Sequence, residues 1–105
     1  MNESGALEDW NYQVLMLVQS MVGAISPNFR MITLLREDEE WVIRFYLETN
    51  DEDDIEEIEE IMCQYGAYQT EALKCRSETV VGVGKLPSVS GVGRVVFRRR
   101  ELISE

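Results

Sequence analysis

The chain has 105 residues, 45% hydrophobic and 29% charged, enough for one globular domain and too few for two. Twenty carboxylates face ten Lys and Arg, and the net charge of -10 argues against nucleic-acid binding and against docking on anionic lipid. Histidine is absent, which removes the commonest general base, the usual nucleophile pairs and the commonest zinc ligand; the expectation is a non-catalytic binding protein with no cofactor and no metal.

Residues 1–5 have no basic start and no apolar core behind them, so they do not read as a secretory signal. The most apolar window, residues 14–25, spans about 18 Å as a helix, short of a ~30 Å hydrocarbon core. No membrane segment is expected, and the location expected is cytoplasmic. Cys63 and Cys75 then read as buried free thiols.

In chain order, residues 7–25 read as a first helix. Leu7, Trp10, Val14, Leu17, Met21 and Ile25 recur at spacings of three and four, and Ser26-Pro27-Asn28 ends the run. Its second half is apolar nearly all round, so either the domain wraps it or another chain covers residues 14–22. A hairpin follows, residues 29–36 and 41–48, joined by Glu37-Asp38-Glu39-Glu40. Trp41, Ile43, Phe45 and Leu47 alternate with Val42, Arg44, Tyr46 and Glu48, and the first set is expected to meet the helices. The spacing leaves open whether Phe29, Met31 and Leu35, or Ile32 and Leu34, enter the same core.

Residues 51–65 predict a second helix, capped by Asn50 and stopped by Gly66, with Ile55, Ile58, Met62 and Tyr65 as its apolar stripe. Residues 68–75 and 79–83 are weaker strand candidates, and Gly82 and Gly84 mark a bulge or an exit from the sheet. Residues 85–91 read as a loop and 92–99 as the last strand, with Arg94, Val96 and Arg98 facing away from Val95 and Phe97. The order is helix-strand-strand-helix-strand-strand. It predicts an α+β two-layer sandwich, a mostly antiparallel sheet of three or four strands with two helices on one face. Residues 1–105 form one domain, with 1–5 and 101–105 expected to fray.

The charge is unevenly placed. Residues 37–60 hold thirteen carboxylates and one arginine, a net of -12, while the rest of the chain sums to +2. A fifteen-residue helix and a seven-residue strand are both roughly 22 Å long, so a helix packed back along the second strand returns its acids toward the hairpin turn. Glu39, Glu40, Asp53, Glu56, Glu57, Glu59 and Glu60 are therefore the candidate contacts for a basic partner. Tyr46 and Arg98 are added as anchors on a sheet face expected to be open. Gly82-Val83-Gly84-Lys85 lacks the Ser or Thr and the spacing of a phosphate loop. No carboxylate pair stands out as an acid and base.

Ala24-Ile25-Ser26-Pro27-Asn28-Phe29-Arg30, then Trp41-Val42-Ile43-Arg44-Phe45, the acidic helix with Ile55, Ile58 and Ile61, and Val95-Val96-Phe97-Arg98-Arg99 follow one another. This pattern resembles small bacterial immunity proteins of polymorphic-toxin and contact-dependent growth-inhibition systems. The resemblance implies a small cytosolic protein without catalytic groups that binds a cognate toxin domain, often a basic nuclease. It assigns no individual residue a role. The competing expectation is a small acidic secretion chaperone or adaptor that dimerises through residues 14–22. The inhibitor reading favours a monomer, with no direct contact to nucleic acid.

Overall fold

The computed structural model describes residues 3–69, 74–89 and 91–101. Its elements are α1 (Glu3–Met21), β1 (Phe29–Glu37), β2 (Glu40–Leu47), α2 (Glu52–Ala67), β3 (Cys75–Val81) and β4 (Gly93–Arg98). The sheet order is β3-β2-β1-β4. β1 pairs antiparallel with β2 and β4, whereas β3 lies parallel to β2, so the sheet is mixed. A 16-residue helix stands between β2 and β3. A helix of that length carries the chain back to the starting edge, which is what parallel pairing requires.

Both helices cover one face. Leu17 and Met21 of α1 and Ile58, Ile61 and Tyr65 of α2 share a core with Phe29, Ile32, Leu34, Trp41, Ile43, Phe45 and Leu47. The alternation in β2 is thus realised as read. In β1 the helix face takes Ile32 and Leu34 together with Phe29, because the register shifts between Phe29 and Met31. Met31 and Leu35 turn to the opposite face. One end of the core is closed by a stack: Trp10 meets Trp41 edge-on at 5.0 Å, Arg94 lies 4.6 Å from the Trp10 ring and Arg36 4.5 Å from the Trp41 ring.

Local structure corrects several expected boundaries. α1 ends at Met21 because Gly23 adopts φ +79, and Ala24 N–H closes the end on the Met21 carbonyl at 3.0 Å. Proline 27 is not the terminator. The cap of α2 is Asp51, not Asn50: Asp51 Oδ1 accepts from Asp54 N–H at 3.1 Å. Gly66 lies inside α2, which runs to Ala67 with Tyr68 as its C-cap. The third strand is Cys75–Val81, and residues 70–73 of the earlier candidate lie outside the described residues. Gly82 does mark an exit, its N–H donating to Leu47 O as β3 ends. Cys63 is exposed rather than buried, and both cysteines are free thiols. Glu3–Gly5 are helical and Glu101 is held by ion pairs; residues 1–2 and 102–105 lie outside the described residues.

The helices are joined by a polar contact within the apolar layer. Tyr65 OH donates to Gln13 Oε1 at 2.5 Å, and Gln13 Nε2 donates to Gln69 Oε1 at 3.1 Å. Burial pushes the Tyr65 phenol above its ordinary pKa, so it stays a neutral donor. Tyr65→Phe leaves Gln13 Oε1 buried without this donor. It is expected to cost about 1–2 kcal/mol in urea unfolding. Thr33 shows the opposite case: its Oγ1 is the one buried side-chain oxygen without a partner among the described residues. Thr33→Val keeps the shape and removes the orphan, so a gain of about 1 kcal/mol is expected in the same measurement.

Candidate functional site

The helix-free face of the sheet is not open. The segment after β3 folds under it, with Leu86 against Met31 and Tyr46, and Val89 against Leu35 and Val42. Tyr46 is 6% exposed as a result, packed under Leu86 and not presented on an open face as expected. The sequence held a signal for this: Leu86 and Val89 are apolar within a loop, and Val42 and Tyr46 needed a cover.

The acids divide into two groups with different fates. Trp41 and Cys75 face the helices and are register partners, so Arg76 and Glu78 share the opposite face with Val42 and Arg44. Glu37 and Glu40 are drawn to that face. Arg76 donates to Glu40 at 2.7 Å, to Glu37 at 2.9 Å and to Glu78 at 2.9 Å, and Arg44 meets Glu78 at 2.7 Å. Hydrogen bonds from Arg76 and then Arg44 hold the Glu78 carboxyl below its ordinary pKa. Glu40 is therefore engaged within the fold, and the turn does not extend the charge of α2 as one band. Glu39 differs. It sits at the hairpin tip with φ +66 beside Asp38 at φ +49, a left-handed pair that suits a two-residue hairpin. Its side chain is exposed and makes no ion pair among the described residues.

On α2, Ile58, Ile61 and Tyr65 are buried while Glu52, Asp53, Glu56, Glu57, Glu59 and Glu60 are exposed. None of these six meets a cation among the described residues. Asp54 alone turns inward, accepting from Asn28 Nδ2 at 2.9 Å and so tying the helix start to the β1 entry. Neighbours at helical spacings, such as Asp53 and Glu57 or Glu56 and Glu60, repel by about 0.2–0.5 kcal/mol each. Asp53, Glu56, Glu57, Glu59 and Glu60 therefore lie together on one solvent face. Arg98 pairs with Met31 across β4, on the opposite side of the sheet.

A third cluster was absent from the sequence reading. Arg30, 8% exposed at its side chain, donates to Glu101 through Nε at 3.0 Å and Nη2 at 2.6 Å. It also reaches Gly82 O at 2.9 Å and Gly84 O at 2.8 Å. Arg99 adds Glu101 at 2.8 Å and Glu48 at 2.6 Å. The Arg30 hydrogen bonds above all pull the Glu101 carboxyl down to about 2. Glu48 is thereby paired with Arg99, just past the end of β4.

Among the described residues no group of three His, Cys, Asp or Glu side chains is placed to hold a metal ion, and no helix is long and apolar enough to cross a membrane. Fold and surface together define a small α+β protein whose chemistry lies in charged faces. The chain belongs to the MafI2 immunity protein family, whose model matches residues 11–101. It is thus an immunity protein of a toxin system, and the resemblance drawn from its sequence is upheld. No curated protein matches the chain.

Proposed function

We propose that this immunity protein neutralises its cognate toxin by docking and without catalysis, in the cytoplasm, as a monomer, with the solvent face of α2 laid against a basic toxin domain. The observation that supports this reading is the row of exposed carboxylates on α2 that no cation answers among the described residues, whereas Glu37, Glu40, Glu48, Glu78 and Glu101 are all paired. Left unpaired at a cost in helix stability, Asp53, Glu56, Glu57, Glu59 and Glu60 offer a field that speeds encounter with a cationic surface and disfavours acidic partners. Glu39 joins them as a contact at the hairpin tip. A nuclease domain suits this face, since a groove built for a polyanion is cationic.

The test is the salt dependence of binding to the cognate toxin domain. The association rate is expected to fall at least tenfold as ionic strength rises from about 0.05 to 0.5 M, because the screening length shrinks through that range. A rate indifferent to salt overturns the reading. A second reading, the dimeric secretion chaperone, draws on the exposed Leu15, Val18 and Val22 of α1. Light scattering of the free protein separates the two, a dimer supporting the chaperone.

A further inference from the structure

The cations of this chain are outnumbered two to one, yet they are not all answered. Arg30, Arg44, Arg76 and Arg99 each meet carboxylates. Lys85 and Arg98 meet none among the described residues, and both line one groove of about 670 Å³ between β4 and the segment 85–89, while the Arg94 guanidinium lies over Trp10 on the helix side. In a protein of net charge -10, Lys85 and Arg98 give this groove a positive field, with no carboxylate among its lining residues. The groove also has apolar walls: Leu86 and Val89 are buried at its base, and Val95 stands 47% exposed on β4.

Its position adds a further constraint. β4 is an edge of the sheet, paired with β1 on one side only. Val95 and Arg98 pair with Thr33 and Met31, so both side chains stand on the face that the segment 85–89 covers. β3 is the other edge, but its Arg76 is satisfied by Glu37, Glu40 and Glu78. The β4 edge combines free backbone groups, an apolar wall and unanswered positive charge. Such an edge takes an extended chain whose alternate side chains fall on one face.

From this geometry we infer that the groove along β4 binds an extended acidic segment of a partner protein, its carboxylates on Lys85 and Arg98 and its apolar side chains on Val95. The surface is separate from α2 and does not rest on the role proposed for that helix. A protein partner of this kind touches both signs of charge, which fixes its orientation as well as its encounter rate.

The probe is a fluorescein-labelled octapeptide of alternating Val and Glu, titrated by anisotropy against the whole protein at low salt. Saturable binding is expected, with amide shifts in the ¹H–¹⁵N spectrum confined to residues 85–98. Arg98→Glu and Lys85→Glu, both at exposed positions, are expected to weaken it at least tenfold while the thermal melt is unchanged. Arg98→Gln, a milder change, is expected to weaken it by less. No saturable binding, equal binding of the Val and Gln octapeptide, or shifts centred on β3 overturns the inference. Equal competition by inorganic tripolyphosphate overturns it in favour of a simple anion site. Self-association of the free protein that Arg98→Glu abolishes overturns it in favour of a second copy.

Discussion

An Arg30→Met variant is expected to lose about 2–4 kcal/mol of stability in urea unfolding at neutral pH, through four charge-assisted hydrogen bonds made by one nearly buried guanidinium. Methionine keeps the packed stem, so the loss reports the head group. The two glycine carbonyls and the Glu101 carboxylate can regain water at this edge, which keeps the cost below that of a charge stranded in the core. Arg30→Lys is expected to recover less than half, because a point charge with three donors cannot fork onto Glu101 and still reach Gly82 and Gly84. The pH dependence follows from Glu101, whose carboxyl is held at about 2 against an ordinary 4.5. A carboxyl with a lowered folded value stabilises the protein fully above its unfolded value. That contribution is lost as pH falls from 4.5 toward 2. The difference between wild type and Arg30→Met is therefore expected to shrink over that interval. A difference that stays constant down to pH 2 counts against the ion pair as its source.

This clamp shows what a linear reading cannot reach. Arg30 and Glu101 are 71 positions apart, and Gln13 and Tyr65 are 52 apart. Neither pair has a local signature, and Glu101 lay in a tail rich in charge. Periodicity served well where one face is buried and the other is not, as in β2 and α2, since burial writes a period of two or 3.6 into the chain. It served poorly in β3, whose mostly exposed residues leave no alternation to detect. The parallel direction of β3 was still implied by the long helix between it and β2. In β4 the register shifts between Ile32 and Thr33 of the partner strand. Val96 and Phe97 both reach the helix-side core as a result, Arg94 stacks on Trp10 rather than joining Arg98, and a strict alternation misplaces them. The acidic composition of residues 37–60 was plain. Its partition was not, because the arginine that answers the hairpin turn comes from β3, more than thirty positions later.

That partition makes the second large effect specific to one helix. The fourfold variant Glu56→Gln, Glu57→Gln, Glu59→Gln, Glu60→Gln is expected to slow association with the toxin domain by about 10- to 100-fold at low ionic strength, the range that electrostatic steering supplies. Dissociation is expected to change less, since these side chains are solvated and act chiefly before contact. The variant is expected to be as stable as the parent or more so, by about 1 kcal/mol, because it relieves repulsion at helical spacings beyond the first turn. Glu52, Asp53 and Asp54 are kept, since the first-turn acids favour the positive end of the helix. Near 1 M salt, where the screening length is about 3 Å, the two proteins are expected to associate at nearly equal rates. The control is Glu8→Gln with Asp9→Asn, two exposed acids on α1. If that pair slows association as much per charge as the α2 substitutions, net charge alone accounts for the rate, and α2 is not the surface the toxin meets.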